Sequence, residues 1–113
     1  MIETTVLNHL MDTMDTSMVY MEVPEDPPAL FVVVEKTGGG KTNHVGHATF
    51  AIQSYGESLL AAALLNEQVK EAMESLAEER NVSRCVLDTD YNYTDTETKR
   101  YRYQAVFDIT HYE

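Results

Sequence analysis

The most constraining feature of the sequence is an uninterrupted apolar run, Leu30–Val34, which is rich in β-branched valine. Such a run predicts a strand that is buried on both faces and lies centrally in a sheet. The segment 24–28 before it contains three prolines, which fix φ and remove backbone donors, so we expect a stiff loop there. The segment 37–40 after it carries three glycines, which predict the end of the strand.

The spacing of apolar residues predicts the other elements. We expect a helix over residues 2–14, a strand over 18–23 and a strand over 45–53. Ser54 and Glu57 have the spacing of a capping box, so a second helix is predicted from there to about Arg80. The predicted inward stripe of this helix consists of Leu65, Val69, Met73 and Leu76.

Residues 83–93 and 100–112 predict a hairpin whose odd positions are apolar and whose polar tip is 94–98. The predicted apolar face comprises Cys85, Leu87, Tyr91, Tyr93, Tyr101, Tyr103, Ala105, Phe107 and Ile109. The fold predicted is therefore α+β in the order α-β-β-β-α-β-β, as one domain over 1–113. A largely antiparallel sheet of about five strands would carry two helices on one face.

The charge balance excludes several classes of function. The chain has 8 Lys and Arg against 19 Asp and Glu, a formal net charge of -11. This field repels phosphate backbones and is incompatible with a polybasic membrane anchor. The N-terminus is polar, unlike a signal peptide, and the longest apolar run, 59–65, is too short to span a bilayer. The single Cys85 cannot form an internal disulfide, so we expect a soluble protein made in a reducing cytoplasm.

The segment Gly38–Thr42 resembles part of a phosphate-binding loop, and it defines one alternative, a small nucleotide-binding enzyme. The full pattern needs a glycine at the position of Glu35, and it needs a helix after the loop, where we predict a strand. A mobile hairpin is the favoured interpretation. His44 and His47 are interpreted as solvated residues, Cys85 has no identifiable base partner, and no catalytic residue, metal ligand or cofactor is predicted.

The one basic cluster is Lys99–Tyr103, whose tyrosines leave single-stranded nucleic acid as another alternative. The alternation predicts that Tyr101 and Tyr103 are core residues or pair with tyrosines of the preceding strand. Arg100 and Arg102 would then lie on the exposed face with Gln104, where they can match an acidic surface on another subunit.

The segment Leu59–Leu65 is apolar on every face of its predicted helix, so more than one face must be covered. Either the N-terminal helix or a second subunit would supply that cover. The candidate interface residues are Leu59, Leu60, Ala62, Ala63, Arg100 and Arg102.

Four segments of the chain resemble the tail terminator (tail completion) proteins of long-tailed bacteriophages, the siphophage type from phages and prophages of Gram-positive bacteria. They are Val19–Pro24, Phe31–Gly39, Ala48–Tyr55 and Lys99–Ile109. The predicted element order is similar as well. Head-tail joining (connector) proteins from the same region of the virion are similar in size and form a close alternative.

The resemblance implies a non-enzymatic structural protein at the head-proximal end of the tail, assembled in the host cytoplasm. It implies a hexameric ring that caps the tail tube, stops its polymerisation and docks a head-completion or connector protein. Its partners would be itself and the major tail tube protein, while genomic DNA passes an acidic lumen without specific binding. The candidate contact loops contain Gly38, Gly39, Gly40, Lys41, His44, Asp95 and Glu97.

Overall fold

A computed structural model describes residues 1–112 of the chain. Its elements are α1 (Ile2–Met14), β1 (Val19–Tyr20), β2 (Phe31–Thr42), β3 (Val45–Gly56), α2 (Leu59–Glu74), a 3₁₀ turn (Leu76–Glu78), β4 (Val82–Asn92) and β5 (Tyr101–Tyr112). The five strands form one sheet in the order β1-β2-β3-β5-β4. All neighbours are antiparallel except β1 and β2, which are parallel. The predicted α+β class and element order are confirmed.

One hydrophobic core lies between the two helices and the sheet. Val6 and Leu10 of α1, Val69 of α2 and Phe50 of β3 are each fully buried in it. These positions repeat every three to four residues in the helices and every second residue in the strands, which is why one face of each element is apolar. No helix within residues 1–112 combines the length and apolar character needed to span a membrane.

Strand β2 is longer than predicted and occupies a different place in the sheet. Of the predicted run 30–34, residues 31–34 are buried on both faces as expected, whereas Leu30 precedes the strand and is 48% exposed. On one side, the only neighbour of β2 is the two-residue β1. The central strand is β3. The glycines do not end β2, because backbone pairing with β3 continues through Gly38–Thr42 to a two-residue turn.

Helix α2 begins later and ends earlier than predicted. The predicted cap, Ser54, lies inside β3, and the residue that caps the helix is Ser58, whose hydroxyl accepts from the amide of Ala61 at 3.1 Å. The helix ends at Glu74 and a 3₁₀ turn follows. The four-residue inward stripe from Leu65 to Leu76 is buried as predicted.

A β-bulge divides β4 into two halves that face opposite ways. The register shifts between Leu87 and Thr89, where Asp88 is the extra residue. Between Arg84 and Leu87 the odd positions face α2, and after Asp88 the even positions do, because one added residue inverts the alternation. An earlier register shift between Val82 and Arg84 likewise places the even-numbered Val82 in the core. The prediction that Tyr91 and Tyr93 share the core face of Cys85 is therefore wrong.

Candidate functional site

The first turns of α2 present an uncovered apolar surface. Leu59, Leu60 and Leu64 are 40%, 69% and 57% exposed, and we call these three residues the leucine knob. Helix α1 packs on the other half of α2, where His9 contacts the carbonyl of Ala72, so it does not supply the second cover. Large apolar side chains left exposed side by side on a helix are typical of a surface that contacts another protein.

The two alanines of the predicted interface are less exposed than the leucine knob. Ala62 is fully buried in the chain's own core, so its side chain is not available to a partner. Ala63 is half-buried beside the knob. Gly56 explains the position of this turn, because a Cβ there would lie 2.7 Å from the backbone nitrogen of Ala62. The end of β3 thus packs directly against the first turn of α2.

The outer ridge of α2 changes character along its length. Leu60 and Leu64 are followed on the same face by three glutamates, at spacings of three or four residues: Glu67, Glu71, Glu74. Glu78 follows in the 3₁₀ turn. Lys70 pairs with Glu67 at 3.2 Å. The helical segments 2–15 and 57–79 together contain nine carboxylates and one lysine, so most of the net charge of -11 lies on the helical side of the sheet.

A groove of about 570 Å³ runs between α2 and β4, and we call it the α2–β4 groove. Its apolar lining is Met73, Cys85, Leu87 and Phe107, and its rim is Glu67, Lys70, Glu71 and Glu74. Burial raises the pKa of the Cys85 thiol to about 11, so this thiol is protonated at neutral pH. The groove therefore combines an apolar floor with an acidic rim.

Three polar side chains hold β4 against α2 beside this groove. The Asp90 carboxylate accepts hydrogen bonds from the Asn66 amide at 2.8 Å and from the Lys70 ammonium at 3.0 Å. The Lys70 hydrogen bond holds the pKa of Asp90 below its usual range, and that of Lys70 is raised in return. The bulge at Asp88 makes this contact possible, because it turns Asp90 toward the helix.

The glycine-rich segment Gly38–Thr42, for which a hairpin was the favoured interpretation, is a paired arm of the sheet. Gly38, Gly39 and Gly40 pair with β3, and the chain reverses at Asn43 and His44. Both turn residues have positive φ, at 52° and 68°, as a two-residue type I′ hairpin requires. A strand rather than a helix follows, so the helix N-terminus that a phosphate-binding loop uses is missing from this arm. Lys41, His44 and His47 are exposed on it.

The tip between β4 and β5 is a hydrogen-bonded turn. Asp95 accepts from the backbone of Glu97 at 3.0 Å and from the Thr98 hydroxyl at 2.9 Å, and these bonds lower the pKa of Asp95, with the hydroxyl the larger cause. Lys99 has a positive φ of 56°, and Arg100 bridges back to Asp95 through the backbone. The tip thus presents Glu97, Lys99 and Arg100 to solvent in a defined shape.

Arg102 is not a free surface arginine. Its guanidinium donates to the Tyr55 hydroxyl at 2.8 Å and to the Tyr93 carbonyl at 2.7 Å, and it lies 4.5 Å from the centroid of the Tyr93 ring. The row continues to Phe31, which stacks on Tyr55 at 4.4 Å. These contacts hold Arg102 on the helix-free face and engage it within the chain.

A second polar row on the same face was missed from the sequence. Gln104, predicted to be exposed, is buried and donates to the Tyr91 hydroxyl at 2.6 Å, and it accepts from Gln53 at the same distance. Gln53 also donates to Glu35 at 3.1 Å. The predicted pairing of Tyr101 and Tyr103 with the β4 tyrosines is wrong, because Tyr91 lies opposite Gln104 and Tyr101 opposite Gly56. The tyrosines therefore form no continuous platform for bases.

His9 is another buried polar residue that was not predicted from the sequence. Its Nε2 lies 2.9 Å from the Ala72 carbonyl and its Nδ1 lies 2.6 Å from the Glu79 carboxylate. Its spacing from Ile2 and Val6 was the available signal, since all three lie on the inward face of α1. His9 joins α1 to the end of α2. Residues 1–112 contain no group of three or more His, Cys, Asp or Glu arranged to hold a metal ion.

Comparison with known proteins gives a likeness of fold. No protein-family model matches the chain, and no curated protein matches it significantly. Among solved structures, the chain is similar to a chain in the virion of a native gene transfer agent (GTA) particle, with a TM-score of 0.55. The two are 14% identical, and the match covers 98% of this chain and 94% of the other. The arrangement of helices and strands is thus shared over almost the whole length of both chains.

Proposed function

We propose that this chain is a structural protein of a phage or phage-like virion. The observation that carries the proposal is its likeness to a chain of a gene transfer agent virion, which extends over nearly the full length of both. The leucine knob supports assembly with other protein, because the chain's own helices leave it uncovered. In this role, residues 1–113 form one domain that binds other virion proteins and catalyses no reaction.

The finer proposal is a tail terminator at the head-proximal end of the tail. Six copies would form a ring on the last ring of the tail tube, stop its growth and present a face to the head connector. The resemblance of segments such as Phe31–Gly39 and Ala48–Tyr55 to that family supports this role. The acidity of the chain supports it too, since an acidic ring lets DNA pass without binding it.

The two projections of the sheet are proposed as contacts to the tube and the connector. The hairpin arm Gly38–His44 and the tip Asp95–Arg100 both lie at the ends of long paired strands. Lys41, His44, Asp95 and Glu97 lie on these projections. Loops and turns at the ends of paired strands suit contacts with a partner.

The experiment compares tail particles assembled in cells from a complete set of tail genes with particles from the same set lacking this chain. Loss of length control in the second set, measured by electron microscopy, is the result expected of a terminator. Tails of normal length that fail to join heads would instead identify a head-tail joining protein. Normal length together with normal head joining would overturn the virion role.

Two substitutions refine the test. Leu60→Asp places a charge on the knob and should reproduce the defect of the missing chain. Asn8→Asp adds the same charge at an exposed position of α1 and should leave tail length unchanged. Circular dichroism of both purified variants establishes that each retains its fold.

A further inference from the structure

The leucine knob and the α2–β4 groove are complementary in chemistry but cannot meet within one chain. Leu60 and Met73 lie on the same helix, 13 residues apart in the sequence. At 1.5 Å of rise per residue that separation is roughly 20 Å, and the helix is rigid. An apolar projection and an apolar groove on one rigid body can therefore contact each other only between two copies.

The charges around the two surfaces are opposite. Lys99 and Arg100 lie beside the start of α2, where they line a common cavity with Glu57. Neither forms an ion pair within residues 1–112. The rim of the groove carries Glu71 and Glu74, both exposed. If one copy inserted its knob into the groove of another with Lys99 and Arg100 toward Glu71 and Glu74, these opposite charges would pair.

We propose that copies of this chain associate head to tail, with the leucine knob of one copy seated in the α2–β4 groove of the next. The contact joins two different patches, so an open chain of copies keeps one free knob at one end and one free groove at the other until a ring closes. This inference deepens the proposed function and rests on it only for closure into a ring.

Cys85 provides a probe, because it is the only cysteine and it lines the groove. In the variant Leu60→Cys, brief treatment with Ellman's reagent converts the exposed new thiol to a mixed disulfide with thionitrobenzoate. After removal of excess reagent, the deprotonated sulfur of Cys85 in a docked neighbour attacks the sulfur at position 60. A disulfide forms between positions 60 and 85, and thionitrobenzoate leaves as a coloured anion.

The expected result is release of thionitrobenzoate about tenfold faster than from a matched Asn8→Cys variant, because docking raises the effective concentration of the two sulfurs. Peptide mass spectrometry should identify the junction between positions 60 and 85, and denaturing gels should show a ladder of linked chains. Leu60→Cys combined with Cys85→Ser should release none. Release no faster than from the Asn8→Cys variant at the highest soluble concentration would overturn the proposal.

Charge reversal tests the rim independently. Arg100→Glu and Glu71→Arg should each slow the release in the Leu60→Cys background by about 1.4- to 5-fold, the range of one exposed ion pair. The two reversals together should restore it, and lack of restoration would contradict the proposed orientation. The release of thionitrobenzoate from the purified protein tests the contact between copies, whereas the length of assembled tails tests the proposed function. Either test can fail without the other.

Discussion

The contact between Asp90 and α2 gives the sharpest prediction of stability. In Asp90→Ala, the Asn66 amide loses its hydrogen-bond acceptor while it remains 2% exposed. Its Oδ1 already has no hydrogen-bond partner among residues 1–112. The substitution therefore leaves a whole amide buried without a partner, and it also removes the ion pair with Lys70.

The expected loss in the free energy of unfolding combines two terms. An unsatisfied buried amide costs about 1–3 kcal/mol. The ion pair lies partly in solvent, so it contributes only about 0.2–1 kcal/mol. We expect Asp90→Ala to destabilise the protein by about 1–4 kcal/mol, the sum of the two terms. Asp90→Asn retains an acceptor for Asn66 and should cost about 1 kcal/mol or less.

The pH dependence has a definite sign. The Lys70 hydrogen bond lowers the pKa of Asp90 in the folded protein below that in the unfolded chain, which is about 3.9. The contribution of the charge is therefore fully present above that unfolded pKa. It is lost as the pH falls through the folded pKa. The difference in unfolding free energy between the natural protein and Asp90→Asn should accordingly be constant near pH 7. It should become smaller as the pH falls below about 4.

Urea unfolding followed by circular dichroism measures these differences. With a slope of about 2 kcal/mol per molar urea, a loss of 2 kcal/mol shifts the midpoint by about 1 M. Asp88→Asn is the control, since Asp88 is exposed on the same strand. A cost below about 0.5 kcal/mol for Asp90→Ala would refute the argument. So would an Asp90→Asn difference that persists unchanged at acidic pH.

Three further predictions concern other contacts. His9→Ala should lower the free energy of unfolding by about 1–3 kcal/mol in urea titrations, because it removes the side chain that links α1 to Ala72 and Glu79; an effect near zero would contradict this. The rate of Cys85 alkylation should keep rising up to about pH 11, as its raised pKa requires, and a plateau near pH 9 would contradict that pKa. Gly56→Ala should cost about 1–3 kcal/mol, since its Cβ would meet the backbone of α2, and a thermal midpoint equal to that of the natural protein would show that the helix yields freely.

The candidate surfaces were only partly predictable. The segment 59–65 was identified because its apolar residues cover every face of a helix, which is a local property of the sequence. The sequence did not predict which residues of this segment remain exposed. Ala62 packs inward, whereas the three leucines of the leucine knob stay exposed. The α2–β4 groove was not predicted at all, because its lining comes from three elements separated along the chain.

The type and order of the helices and strands could be predicted from local patterns in the sequence. The periods of α1 and of the inward stripe of α2, and the alternation in β3 and β5, are set by local backbone geometry, so each could be recognised without its neighbours. The apolar run 31–34 was likewise recognised as buried on both faces. These features depend on residues adjacent in the sequence.

Features that depend on pairing between residues distant in the sequence could be seen only in the folded structure. The glycine segment after the apolar run is strand because β3 supplies its hydrogen-bond partners. One extra residue at Asp88 turns Tyr91 away from α2 and Asp90 toward it, and no local pattern marks that bulge. Burial of Gln104 follows from its place between Gln53 and Tyr91. Register and bulges are settled by the whole sheet, because a shift of one residue exchanges the two faces of a strand.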